Sequence, residues 1–238
     1  MSLSPALPLS FDSVAPSKLL LAGEVGAFAH MRVMAALGRA VPMPRIGDGR
    51  PVVVIPGFMA SDMTTARLRR SLSAAGFTVH GWGMGRNRGT QADTLEMLHA
   101  RLSQLGANEA GGAPLTLVGW SLGGLVAREY AKYAPDRVAR VITLGSPFSG
   151  DPRANNAWRA YEYIAGHPVD APPIDVVLGR KPGAHTVACW SARDGVVSPG
   201  SARGLPGERD VAMEFDCRHM AFVADPAAIR RVARLIVE

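Results

Sequence analysis

The chain has 238 residues, 47% of them hydrophobic, and a formal net charge of +6. That length and apolar content fit one α/β domain with a sizeable core and leave little room for two. The positive charge is carried by scattered arginines, with lysine only at Lys18, Lys132 and Lys181, so no basic tract of the kind that grips phosphates is present and nucleic-acid binding is disfavoured.

In chain order, the first strong pattern is LLLAGEVGAFAHMRVMAAL, an apolar stretch interrupted by Glu24, His30 and Arg32. No run reaches about 18 uncharged apolar residues and no basic segment precedes it, so it reads as neither a spanning helix nor a signal peptide. It is expected to be an amphipathic helix docked on the domain, with peripheral contact to a membrane surface as the alternative. Residues 1–49 then form a helical extension packed on a core domain of residues 50–238. PVVVI, continuous and β-branched, opens that domain as a strand covered on both faces. SDMTTARLRRSLSAAG is patterned as a helix, with Ser61 or Asp62 as N-cap and Gly76 at its end.

The alternation then repeats. FTVHGW, APLTLVGW, VARVITLGS, HTVACWS and DVAMEFDC read as strands, and TQADTLEMLHARLSQL and LVAREYAKYA between them as helices. DPAAIRRVARLIVE closes the chain as a helix capped by Asp225, with Pro226 in its first turn. Strands separated by helices imply a sheet of about six mostly parallel strands with helices on both faces. One interval, about 148–183, breaks the rhythm: it holds helix-like RANNAWRAYEYIAG and Pro-rich HPVDAPP. An excursion of this length, leaving from a strand end, is expected to be a lid or cap over a binding crevice.

Candidate chemistry centres on Gly119-Trp120-Ser121-Leu122-Gly123, a G-x-S-x-G pattern between a strand and a helix. A serine hydroxyl is a weak nucleophile, so Ser121 needs a general base and that base an orienting acid. Of the six histidines, His219 follows the last strand at the sheet edge where Ser121 stands. His80 and His185 fall in strands, His30 and His99 in helices, and His167 in the lid. Asp194 follows the penultimate strand by a short turn and is the preferred acid, ahead of Asp216 and Asp175. The amide of Leu122, at a helix N-terminus, and that of Phe58, in the Pro56-Gly57-Phe58-Met59 loop, are expected to form an oxyanion hole, with Met59 as the alternative to Phe58.

Together PGF, GWSLGG, SARDGVV and CRHM, in that order, make residues 50 onward resemble the α/β-hydrolase superfamily, and more narrowly its bacterial lipase- and esterase-like members. The resemblance implies Ser121 as nucleophile, His219 as base, Asp194 as acid and the amides of Phe58 and Leu122 as oxyanion donors. Two departures stand out. Pro56 occupies a place where many relatives have histidine before the oxyanion glycine, and the first two antiparallel strands of larger members are missing. Serine at the elbow argues against the dehalogenase and epoxide hydrolase branches, which use a carboxylate there.

The expected activity is therefore hydrolysis of carboxylic esters through an acyl-enzyme. An acyltransferase on the same residues, or a non-catalytic binding protein of the same fold, is the alternative. The substrate is expected to be a small-molecule ester with an apolar part, lodged among Met59, Trp120, Phe148 and Trp158. No cofactor or metal is expected: GWGMGRNRG does not fit a dinucleotide fingerprint, and Arg86 and Asn87 read better as braces of a crevice loop. Cys189 and Cys217, without metal-ligand spacing, are read as free core thiols or a single bridge, which suggests a cytoplasmic location.

Overall fold

The computed structural model describes residues 14–108 and 113–238. The first thirteen residues of the expected N-terminal extension therefore lie outside the described residues. Six strands, β1 (Pro51–Ile55), β2 (Thr78–Gly81), β3 (Leu115–Trp120), β4 (Val138–Leu144), β5 (His185–Trp190) and β6 (Val211–Glu214), form one sheet in the order β2-β1-β3-β4-β5-β6, and every neighbouring pair is parallel. Among the described residues seven α-helices accompany them: α1 (Lys18–Leu37), α2 (Ala66–Ala74), α3 (Thr94–Asn108), α4 (Leu122–Tyr133), α5 (Trp158–Ala165), α6 (Pro199–Arg203) and α7 (Pro226–Val237).

The central strands are apolar on both faces because helices cover both. Val52 and Val54 of β1 pack with Leu68 of α2 and Ile229 and Val232 of α7, while Val53 and Ile55 of the same strand pack with Leu98 and Leu102 of α3 and Val126 and Tyr130 of α4. The period of two along each strand sorts its side chains between these two layers. Met31 of α1 joins the first layer.

By length and composition α1 is apolar enough to cross a membrane, with 20 residues and a mean hydropathy of 1.3. The charge interruptions alone had argued otherwise. Its inner face is nevertheless built into the domain: Glu24, Met31 and Ala35, spaced at seven and four residues, are buried on one side of the helix.

Two cap expectations come out differently. Asp225 caps α7 as anticipated, its Oδ1 accepting the N–H groups of Ala227 (2.8 Å) and Ala228 (2.9 Å). Asp225→Ala should cost about 1 kcal/mol, lowering the Tm in thermal denaturation by roughly 2–4 °C for a domain of this size. Neither Ser61 nor Asp62 caps α2, which begins three or four residues later than these candidates imply, after Thr65. The Asp62 carboxylate instead accepts the N–H groups of Trp82 and Gly83 at 3.1 Å each, closing the loop that follows β2.

Candidate active site

All six strands run the same way, so whatever follows their C-terminal ends gathers on one edge. Ser121 comes directly after β3, Asp194 follows β5 by four residues, and His219, which opens a 3-10 turn (His219–Val223), follows β6 by five.

Ser121 has φ 54° and ψ −123°, a backbone conformation that costs a residue with a side chain about 1–2 kcal/mol. The turn is held by backbone bonds from Ser121 N–H to the Leu144 carbonyl (2.8 Å) and from Gly124 N–H to the Ser121 carbonyl (2.9 Å). Its flanking glycines are required by contact. A Cβ at Gly119 would strike the backbone of Gly123 and Gly124, and one at Gly123 the carbonyls of Ile55 and Pro56.

His219 and Asp194 are 2% and 1% exposed and joined by a 2.7 Å hydrogen bond between Nδ1 and Oδ2. An ionised carboxylate only accepts, so Nδ1 carries the hydrogen, and in the neutral imidazole Nε2 is left with its lone pair. The other carboxylate oxygen of Asp194 accepts the N–H groups of Val196 and Val197, both at 2.8 Å, which fixes the side-chain rotamer. Burial pulls the pKa of the imidazole down, but the charge and hydrogen bond of Asp194, with the charge of Glu24, outweigh it and leave the net displacement upward. Among the described residues no hydrogen bond joins Ser121 Oγ to the imidazole. Such bonds commonly tighten only once substrate is bound.

The rival acids lie elsewhere. Asp216 is an exposed carboxylate paired with Arg193 at 3.1 Å, and Asp175 is exposed on the lid. The other histidines are also placed as the sequence suggested; His167 contacts the Thr90 carbonyl at 2.9 Å and Tyr161 Oη at 3.4 Å within the lid region.

The loop after β1 answers how the chain manages with Pro56. The Asn87 side chain donates to the Pro56 carbonyl (2.8 Å), Asn87 N–H to Ala60 (2.8 Å) and Arg86 to the Met59 carbonyl (3.0 Å). Met59 N–H is spent on the Asn87 carbonyl at 2.7 Å, which removes it as an oxyanion donor. Among the described residues the N–H groups of Phe58 and Leu122 have no such acceptor, and Leu122 heads α4, where backbone donors are left over.

A cleft enclosing about 820 Å³, open mouth included, runs from Ser121 and Phe58 between α4 and the lid. Leu122, Leu125, Val126 and Glu129 form its α4 wall, and Trp158, Tyr161, Pro172, Ile174, Val176 and Leu178 face them from the lid. Lys132, ion-paired to Glu129 at 2.7 Å, also donates to the Val177 carbonyl at 2.9 Å, and Arg128 donates to the Glu208 carbonyl at 3.0 Å.

Of the apolar residues expected at the substrate, Trp158 lines this cleft and three do not. Trp120 shares a strand face with Val118 and points to the α7 layer, where its Nε1–H donates to the His219 carbonyl at 3.1 Å. Phe148 is fully buried with the Arg128 guanidinium 4.0 Å above its ring. Met59, turned by its positive φ of 57°, lines a separate recess with Met31, Met63 and Arg86.

Cys189 and Cys217 are free and buried, and burial pushes both thiols far up, so neither offers a thiolate. Sequence reasoning missed Glu24, whose carboxylate reaches the loops of both Asp194 and His219. The available signal was a lone carboxylate on the same helix face as Met31 and Ala35.

A family profile described as the alpha/beta hydrolase fold matches residues 50–170, slightly more than half of the chain. The chain belongs to the α/β-hydrolase superfamily. It is 33% identical over 122 residues to a pimeloyl-[acyl-carrier protein] methyl ester esterase of Photobacterium profundum, a match covering 49% of this chain and 44% of that protein. The enzyme of the same name from Aliivibrio salmonicida is 34% identical over 120 residues, 48% of this chain and 41% of its own. The matched region thus spans less than half the length of these relatives.

Among solved structures, a metagenome-derived lipolytic enzyme superposes with a TM-score of 0.59 at 17% identity, covering 84% of this chain and 99% of that one. The naproxen esterase of Bacillus subtilis superposes at 0.55 with 13% identity, covering 82% and 86%. At such identities the likeness shows the fold.

Proposed function

We propose that this α/β-hydrolase is a cofactor-free serine esterase acting on small carboxylic esters with an apolar acyl part. Ser121 attacks the ester carbonyl while His219 Nε2 takes its proton. Asp194 holds the imidazole in the required tautomer and stabilises the imidazolium, and the amides of Phe58 and Leu122 receive the oxyanion. His219 then returns the proton to the leaving alcohol and activates water to release the acid. The observation that carries this reading is the buried Asp194–His219 pair, locked by two backbone amides at the same sheet edge as a serine in a strained strand-to-helix turn. Relatives named as methyl ester esterases support it.

The test is a burst-phase assay with p-nitrophenyl esters of short and long acyl chains. A burst stoichiometric with enzyme, followed by slower turnover, is expected. Absence of turnover on every ester would overturn the proposal.

The acyl group is placed along α4. From Leu122 to Glu129, both of which line the cleft, the helix rises about 10 Å, a span that fits a chain of roughly eight carbons. Leu125→Trp would fill this channel part-way. It should lower kcat/KM for eight-carbon esters by roughly 10- to 100-fold, as losses of apolar pocket contacts do, and leave acetate esters nearly untouched. Equal losses on both esters would place the acyl group elsewhere.

A further inference from the structure

We propose that Glu24 is a positioning residue of the active site, acting through the two loops that carry Asp194 and His219; the inference rests on the esterase reading above. Glu24 is 4% exposed, yet it sits in the N-terminal helix α1, 170 residues and more from those loops in sequence. Its Oε1 accepts the N–H of Gly195 and the N–H of His219, both at 2.9 Å, and its Oε2 accepts the N–H of Met220 at 3.1 Å.

One carboxylate thus binds the residue after the proposed acid and the proposed base itself. A buried charge would be costly without such partners, and three backbone donors supply them.

The helix cannot easily drift from this place. A Cβ at Gly195 would strike the Leu20 carbonyl, so α1 rests directly on the acid loop. Arg218 donates to that same carbonyl at 3.3 Å, and Asn156, within the 148–183 interval, donates to Pro16 at 2.9 Å and accepts from Lys18 at 3.0 Å.

With its N–H held by Glu24, its carbonyl by Trp120 and its Nδ1 by Asp194, the His219 residue is fixed from three directions. The Nε2 atom that must meet Ser121 is therefore aimed by a residue that touches neither substrate nor the reacting atoms. Misplacement of a reacting group by about 1 Å can cost on the order of 10²-fold in rate.

Glu24 also acts through charge. The ionisable groups facing the imidazole are Asp194 from the acid loop and Glu24 from α1, with the buried, protonated Cys217 two residues before it. Arg218 turns its guanidinium to α1, and Trp120 and Phe222 present rings. Neutralising Glu24 removes a charge that favours imidazolium, so the pH at which His219 gives up its proton must fall.

The test compares Glu24→Gln and Glu24→Asp with wild type. Competent sites are counted by fluorophosphonate titration, and kcat, KM and the pH profile of kcat/KM are measured on a p-nitrophenyl ester. Glutamine is nearly isosteric but would turn an amide N–H₂ toward the Met220 N–H or the other two donors, while aspartate keeps the charge and shortens the reach.

Both variants should lose roughly 10- to 100-fold in kcat per titrated site with KM within about twofold. Only Glu24→Gln should move the acid limb of the profile to lower pH. Wild-type kcat per titrated site in both, or an unmoved acid limb in Glu24→Gln, overturns the proposal. So does a loss that appears only as fewer titratable sites, which would make Glu24 a folding residue alone. Ser121→Ala run alongside separates the two claims: turnover surviving in it defeats the esterase reading itself, whereas its loss beside intact Glu24 variants defeats only the role of Glu24.

Discussion

Ser121→Ala will abolish the burst and lower kcat by about 10⁴-fold or more, equivalent to at least about 5.5 kcal/mol of lost transition-state stabilisation. The magnitude follows because, on the proposed mechanism, the substitution removes the atom that would form the acyl-enzyme, and only the backbone amides and substrate binding would remain to accelerate attack by water. The substitution should leave the fold alone. The bonds that hold the turn, from Ser121 N–H to Leu144 and from Gly124 N–H to the Ser121 carbonyl, belong to the backbone. Alanine carries the same Cβ, so the strain of the positive φ is common to both residues. Thermal denaturation should give a Tm within a degree or two of wild type, so a loss of turnover reads as lost chemistry. KM for any residual reaction should stay near the wild-type value, because the apolar walls of α4 and the lid are untouched. A variant that keeps the wild-type rate would remove Ser121 from the mechanism.

The parts of the site legible in the sequence are those governed by local pattern. Continuous β-branched strands alternating with helical periods gave a parallel sheet, and a parallel sheet sends every strand's C-terminal end to one edge. A serine between glycines, an aspartate and a histidine that each followed a strand could therefore be grouped without knowing a single distance. Side-chain direction was harder. Trp120 looks like a pocket residue because it precedes Ser121, but the period of two puts it with Val118 on the α7 face. Phe148 leaves the strand beside the lid, yet a guanidinium from α4 claims its ring. Glu24 was beyond pattern altogether. Its partners are amides more than 170 residues away, and backbone donors have no identity that a sequence can advertise. Asp62 failed as a cap for a related reason, since its carboxylate is taken by two amides of the loop that follows β2.

Asp194→Asn will lower kcat by about 10⁴-fold through a change of tautomer, with the backbone of the site intact. The direction is dictated by the two amides of Val196 and Val197. They need an acceptor, so the carbonyl oxygen of asparagine will stay where Oδ1 stands now, 2.8 Å from each. The amide nitrogen must then take the place of Oδ2, 2.7 Å from His219 Nδ1. There it donates, and a donor facing Nδ1 forces the imidazole hydrogen onto Nε2. A protonated Nε2 cannot accept the proton of Ser121. The opposite rotamer would aim N–H₂ at two backbone N–H groups and leave all of them unpaired in a buried site, at roughly 1–3 kcal/mol for each unsatisfied group. The pH profile supplies an independent check. On the proposed mechanism neutral His219 is the active base, so kcat/KM should rise as pH climbs through a pKa held above the ordinary imidazole value. Without the carboxylate, burial works against only the charge of Glu24, and the acid limb should move to lower pH even as the plateau collapses. Asp216→Asn makes the matched control: that carboxylate is an exposed partner of Arg193, so its loss should leave both kcat and the limb unchanged. If the two variants behaved alike, or if Asp216→Asn caused the larger loss, the acid would have to be reassigned. The buried, doubly anchored carboxylate predicts the opposite ordering by four decades.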